Sequence, residues 1–221
     1  IHTEAVAYIS GRAELLVSLF TLLSIIFYLG YIKSRKNIKY LFSLFCFVLA
    51  LLSKEAGFLM LVPFCILFLG ARAKVSRINL FFHFISFVGI LAIYAVLRLT
   101  VLAPIIFVRK EFNFLEDILN FSLVLIEYLR ILILPSSLHL FRSITPIKVN
   151  HSYIIASLFF IISFVILFVV LIKKKKSILL FGLSWLTLSL IYLIRNMYKF
   201  SNDIITMEEH WIYFSSIGFF L

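Results

Sequence analysis

Acidic side chains are scarce in this sequence, and in three of its basic loops they are missing altogether. Ten Asp and Glu stand against 21 Lys and Arg in 221 residues, for a formal net charge of +11. Cysteines number two, Cys46 and Cys65, each inside an apolar run. That placement argues against a disulfide framework or a zinc site and makes both small lipid- or core-facing residues. The seven glycines form no dinucleotide fingerprint and no phosphate loop ending in Lys-Ser/Thr. A nucleophile elbow and a Cys/His metal spacing are also missing. Beyond one lysine run there is no low-complexity segment, internal repeat or heptad array.

What the chain has in excess is hydrocarbon. It is 63% hydrophobic, holds 26 Phe and has a mean hydropathy of +1.13. Ordinary soluble domains are about 45–50% apolar, and one this apolar could not cover its surface. The runs are long and unalternating, so the expected fold class is all-α integral membrane, not a barrel. The positive charge lies between apolar segments, where it marks cytoplasmic loops and not a nucleic-acid surface.

The apolar runs predict spans over about 13–31, 40–53, 56–70, 79–97, 153–172 and 177–194, with a further helix starting at 211 and running to 221. Together they form one transmembrane domain, 1–221. The chain opens without Met and closes inside an apolar run, so it reads as a piece of a longer protein. Lys54-Glu55 separates two short runs and predicts a tight turn low in the outer leaflet, and Pro63 would kink the helix after it. Lys33, Arg35, Lys36 and Lys39, then Arg72, Lys74 and Arg77, then Lys173 to Lys176 form acid-free loops. The positive-inside rule makes these cytoplasmic. All ten acids then fall on the other side: Glu4, Glu14, Glu55, Glu111, Glu116, Asp117, Glu127, Asp203, Glu208 and Glu209. The run 118–134 could span, but spanning would force Lys173 to Lys176 outside. It is expected to be a re-entrant or interfacial helix on the outer side.

Ionisable groups at membrane depth are costly and are functional candidates by default. Four outer clusters qualify: His2, Glu4 and Arg12; Lys54 and Glu55; Glu127 and Arg130; and Glu208, Glu209 and His210. Lys54 can neutralise a phosphate. Glu208 and Glu209 could bind a divalent cation, although adjacency is a weak metal signal. Trp211 and Tyr213 suit an interfacial aromatic belt. Glu127 and Arg130, three apart on a helix, read as a structural pair. Glu14 reads as a first-turn charge favoured by the helix dipole. His83 reads as structural, while His139 and His151 stand isolated in the outer region.

Taken together, these stretches resemble a known family. His2-Thr3-Glu4-Ala5-Val6 followed by Ser10-Gly11-Arg12-Ala13-Glu14-Leu15-Leu16 is similar to a motif of the transmembrane and tetratricopeptide-repeat O-mannosyltransferases and their bacterial relatives. Leu52-Ser53-Lys54-Glu55 resembles that family's Ser/Cys-Lys-Glu turn, and Leu132-Ile133-Leu134-Pro135-Ser136-Ser137-Leu138 its Leu-Leu-x-Pro-x-x-Leu loop. The stretch from Glu209 to Phe219 resembles its Glu-Arg/His-x-x-Tyr-x-Pro-Ser-x-Gly-Phe entry, with Ser215 where the family has proline. No tetratricopeptide repeats are present.

The resemblance implies a GT-C glycosyltransferase bundle. Such an enzyme would take a sugar from a polyprenyl-phosphate donor and pass it to a protein or glycan acceptor. It would act on the periplasmic face of a bacterial inner membrane, or on the lumenal face of the endoplasmic reticulum. The resemblance also puts the catalytic base upstream of Ile1. Arg12 and Lys54 would steady the leaving phosphate. Glu4 and Glu55 would orient those cations or bind sugar hydroxyls, Glu209 and His210 would close the far wall, and His2, Glu208 and Tyr213 would join them in binding substrate or phosphate. The partners implied are membrane lipid, the lipid-linked donor and the acceptor, with no nucleic acid. Two other classes fit the composition. One is a transporter or lipid-linked-sugar flippase, and the other a non-catalytic membrane anchor for a repeat domain.

Overall fold

The structure, a computed structural model, describes residues 11–61, 64, 66, 77–101, 114–134, 141–144, 151–174, 176–193 and 205–220. The chain divides into two compact units, Arg12–Ile106 and Ile1–Gly11 with Phe107–Leu221.

The first unit is built on a helical hairpin. Helix α1 is Arg12–Ser34 and α2 is Asn37–Ser53. Only Arg35 and Lys36 connect them. Arg35 takes the left-handed conformation (φ 58°), and its N–H donates to the Tyr31 carbonyl at 2.7 Å. That is a helix C-cap of the kind usually given to glycine. So short a connection makes the two helices antiparallel neighbours.

The buried positions of α1 are Glu14, Val17, Ser18, Thr21, Ser24, Ile25, Tyr28 and Tyr31, at three- and four-residue spacing. Those of α2 are Ser43, Cys46, Phe47, Ala50 and Leu51. Small residues let the backbones approach, as at membrane helix interfaces. At mid-hairpin the hydroxyl of Ser24 donates to the Ser43 carbonyl at 2.8 Å, and that of Ser43 donates to the Ser24 carbonyl at 2.7 Å.

After α2 the chain turns at Lys54 and enters a 3-10 turn, Glu55–Met60. The third apolar run, expected as a helix from 56, thus opens as a tighter 3-10 turn; Pro63 lies outside the described residues. Helix α3 is Arg77–Thr100. Its His83 is buried near the far end of the hairpin. The Tyr28 hydroxyl lies 3.3 Å from His83 Nδ1, and the Tyr31 and Tyr40 rings flank the imidazole at 5.0 and 4.4 Å. The structural role expected of His83 fits this packing.

The second unit holds α4 (Phe114–Ile133), strand β1 (Phe141–Ile144), α5 (His151–Lys173) and α6 (Ser177–Leu193). Strand β2 (Ile205–Glu208), a 3-10 turn (Glu209–Trp211) and α7 (Ile212–Phe220) follow. The strands pair antiparallel, Phe141 opposite Glu208 and Ile144 opposite Ile205. This small ladder qualifies the all-α expectation. Helix α4 is one uninterrupted element across the segment expected to be re-entrant or interfacial. The core joins Val124, Tyr128 and Leu132 of α4 to Leu186 and Leu190 of α6, and to Trp211 and Ile212. Trp185 Nε1 donates to the Phe214 carbonyl at 2.8 Å and ties α6 to α7.

Large apolar side chains face outward on several helices: Leu19, Ile26, Phe45, Phe81, Phe82 and Ile93 in the first unit, and Phe159, Ile166 and Ile178 in the second. An apolar exterior on this scale needs a cover. Two helices, α1 and residues 79–100 of α3, are long and apolar enough to cross a membrane; 37–53, 161–173 and 177–190 are shorter apolar helices. These features are consistent with a helical membrane protein.

Candidate functional site

Among the described residues, the charged groups of the first unit sort to its two ends. At one end lies the α1–α2 turn, where Lys33, Arg35 and Lys36 are exposed. At the other end α1 begins, α2 ends and α3 ends, and there the acids appear.

Lys54 is extended (φ −158°, ψ 141°) between α2 and the 3-10 turn. Its N–H donates to the Ala50 carbonyl at 3.1 Å, and its carbonyl accepts from the Gly57 N–H at 3.0 Å. Gly57 permits this turn. A β-carbon there would come 3.0 Å from the Ala50 carbonyl carbon and 3.1 Å from its oxygen, so the 3-10 backbone lies directly on α2.

The Lys54 ammonium pairs with the Glu14 carboxylate. The pair is asymmetric: the Glu14 side chain is 3% exposed and that of Lys54 21%. Glu14 sits in the first turn of α1, where the helix dipole favours an anion. Glu55, the first residue of the 3-10 turn, pairs with Arg98 in the last turn of α3. A cation is favoured at that helix end. Arg98 also donates to the Tyr94 hydroxyl at 3.4 Å. Adjacent residues of one turn thus reach two different helices. The line Glu14, Lys54, Glu55, Arg98 ties α1, α2 and α3 at a single end. Arg12 stands exposed on the opening residue of α1, two residues from Glu14, and so projects from a different face.

The other expected site residues lie elsewhere. His2 and Glu4 fall outside the described residues. In the second unit, His210 Nε2 is 3.3 Å from Glu208 Oε2, with both side chains 6% exposed, and the Tyr128 hydroxyl donates to the Glu208 carbonyl at 3.3 Å. Glu209 lies in the 3-10 turn and Tyr213 is half-buried in α7. Trp211 corrects the expectation of an interfacial belt: it is buried in the core beside Tyr128 and Ile212. Arg130 holds Glu127 by two bonds, Nε to Oε2 at 2.9 Å and an Nη to Oε1 at 2.7 Å, the structural pair expected. Among the described residues no three metal-ligating side chains come together.

Sequence reasoning missed Glu14 as a partner of Lys54, and Arg98 altogether. The signal for Glu14 was the hairpin itself. A turn closing at Arg35–Lys36 folds the end of α2 back on the first turns of α1. Arg98 carried no signal beyond its place at a helix end.

No family model matches the chain, and no solved structure matches it. A Caenorhabditis elegans protein O-mannosyl-transferase is 45% identical to it over 76 residues, 33% of this chain. The match covers 10% of that protein's length. It supports a loose, O-mannosyltransferase-like relationship for this chain.

Proposed function

We propose that the chain is the membrane part of a glycosyltransferase, O-mannosyltransferase-like and of GT-C type, that uses a polyprenyl-phosphate-linked sugar on the periplasmic or lumenal face. The observation that carries this reading is the Lys54 turn. A lysine and an arginine are each seated by a carboxylate at one end of an apolar helical unit, away from the acid-free basic turn. Such an end suits an anionic headgroup whose lipid tail lies along outward-facing hydrocarbon. The partial likeness to an O-mannosyl-transferase supports the sugar-transfer class over a transporter or an anchor.

In the reaction the bond from the anomeric carbon to the phosphate oxygen breaks and a bond to the acceptor oxygen forms, while the acceptor hydroxyl gives its proton to a carboxylate general base. Negative charge grows on the departing phosphate. Fixed cations in a poorly solvated site stabilise that charge more than water does. Lys54 keeps N–H donors beyond the one its carboxylate takes, and Arg12 projects at the same end of α1. Glu55 holds Arg98 and thereby keeps a third cation at this end.

The test is hexose transfer by the full-length protein from polyprenyl-phosphate mannose in proteoliposomes. Lys54→Ala is expected to lower kcat by about 100-fold, with a smaller loss for Arg12→Ala. Wild-type rates in both variants would overturn the reading.

A further inference from the structure

We infer that Glu14 is the positioning residue for Lys54, fixing the direction in which the ammonium meets a phosphate; this rests on the reading of Lys54 as a phosphate-facing cation. Three observations carry it. The Lys54 backbone is already held on both sides, by its bond to the Ala50 carbonyl and by the Gly57 N–H on its own carbonyl. With φ and ψ set, only the side-chain rotamers remain free, and a lysine has many of them. The Glu14 carboxylate removes that freedom.

The carboxylate is also the more deeply enclosed partner of the pair. Glu14 is almost wholly enclosed, whereas Lys54 keeps a fifth of its side chain open. The bond to Glu14 takes one of the three N–H donors of the ammonium. Third, the Glu14 backbone is itself fixed: it belongs to the first turn of α1, where its carbonyl accepts the Ser18 hydroxyl at 2.6 Å.

A purely structural role accounts less well for this arrangement. Buried ion pairs contribute little net stability, and well-packed apolar residues of similar volume often replace them without loss. Rotamer restriction of a reactive cation is what such a pair adds.

The experiment measures binding of a short-chain polyprenyl monophosphate to the full-length protein in detergent, alongside its unfolding midpoint. Wild type is compared with Glu14→Gln, Glu14→Asp, Lys54→Gln and the double variant Glu14→Gln/Lys54→Gln. Glu14→Gln is expected to weaken binding about tenfold, and the double variant to bind no worse than Lys54→Gln alone, since Glu14 acts through Lys54. Glu14→Asp keeps the charge, and with it the fold, but withdraws the carboxylate by one methylene. It is expected to weaken binding by about threefold with an unchanged midpoint.

Wild-type affinity in a folded Glu14→Asp or Glu14→Gln variant would overturn the positioning role while leaving Lys54 as the binding cation. Additive losses in the double variant would overturn it too. Failure of the wild type to bind the probe would remove the phosphate reading of Lys54, and the role of Glu14 with it.

Discussion

At the scale of single residues, polar atoms inside this protein are either paired or conspicuous. Glu14 shows why local reasoning misjudged one of them. An acid in the first turn of a helix is fully accounted for by the macrodipole, so nothing in its neighbourhood asks for a partner 40 positions on. Lys54 and Glu55 were legible as a costly pair of charges. Their partners were not, because adjacent residues at a turn point to different helices. Thr21 is the opposite case: its hydroxyl is completely buried in α1 and makes no hydrogen bond among the described residues. An unsatisfied buried hydroxyl costs about 1–3 kcal/mol. Thr21→Val, which keeps the shape, is expected to raise stability by about 1 kcal/mol, read as a higher midpoint in detergent unfolding. An unchanged or lower midpoint would mean that the hydroxyl is satisfied.

At the scale of elements, the helices were legible because long apolar runs and basic, acid-free connections have only one good arrangement. The boundaries of α1, α3, α5 and α6 lie within three residues of the ends of the apolar runs, the usual scatter of helix ends. The β1–β2 ladder was not legible. Phe-Arg-Ser-Ile and Ile-Thr-Met-Glu are too short to show a period-2 pattern, and each depends on the other for its hydrogen bonds. Trp211 was misplaced for a similar reason: aromatic residues at a helix entry suit an interface or a core equally, and only the α4 and α6 side chains around it decide. Helix α7 rests on α6 through Gly218, where a β-carbon would lie 2.5 Å from the Gly182 carbonyl oxygen and from the Leu186 nitrogen. Both are backbone atoms, so neither can swing aside. Gly218→Ala is expected to destabilise the second unit by about 1–3 kcal/mol. Tryptophan fluorescence would follow the change, since Trp185 is bonded across this same contact. Wild-type stability would show that the two helices can separate freely.

At the scale of the whole molecule, the distribution of charge supports the orientation proposed above. The α1–α2 turn carries Lys33, Arg35, Lys36 and Lys39 without an acid, and cytoplasmic loops hold such excess. A cysteine placed at Lys36 is expected to resist a membrane-impermeant maleimide in intact cells and to react after permeabilisation. One placed at Asn79, at the start of α3, is expected to behave alike. Labelling of either in intact cells would invert the topology and take the Lys54 end away from the outer face. The Glu14–Lys54 contact also bears on how such a chain enters a bilayer at all. If the chain inserts in a membrane, α1 delivered by itself would bring the Glu14 carboxylate toward the lipid, and the end of α2 would bring the Lys54 ammonium, and an uncompensated charge at membrane depth is costly. Delivered as a closed hairpin with a two-residue connection, the two charges cancel before either leaves water. The insertion unit would then be the pair of helices, with Glu14 and Lys54 no longer opposing its entry.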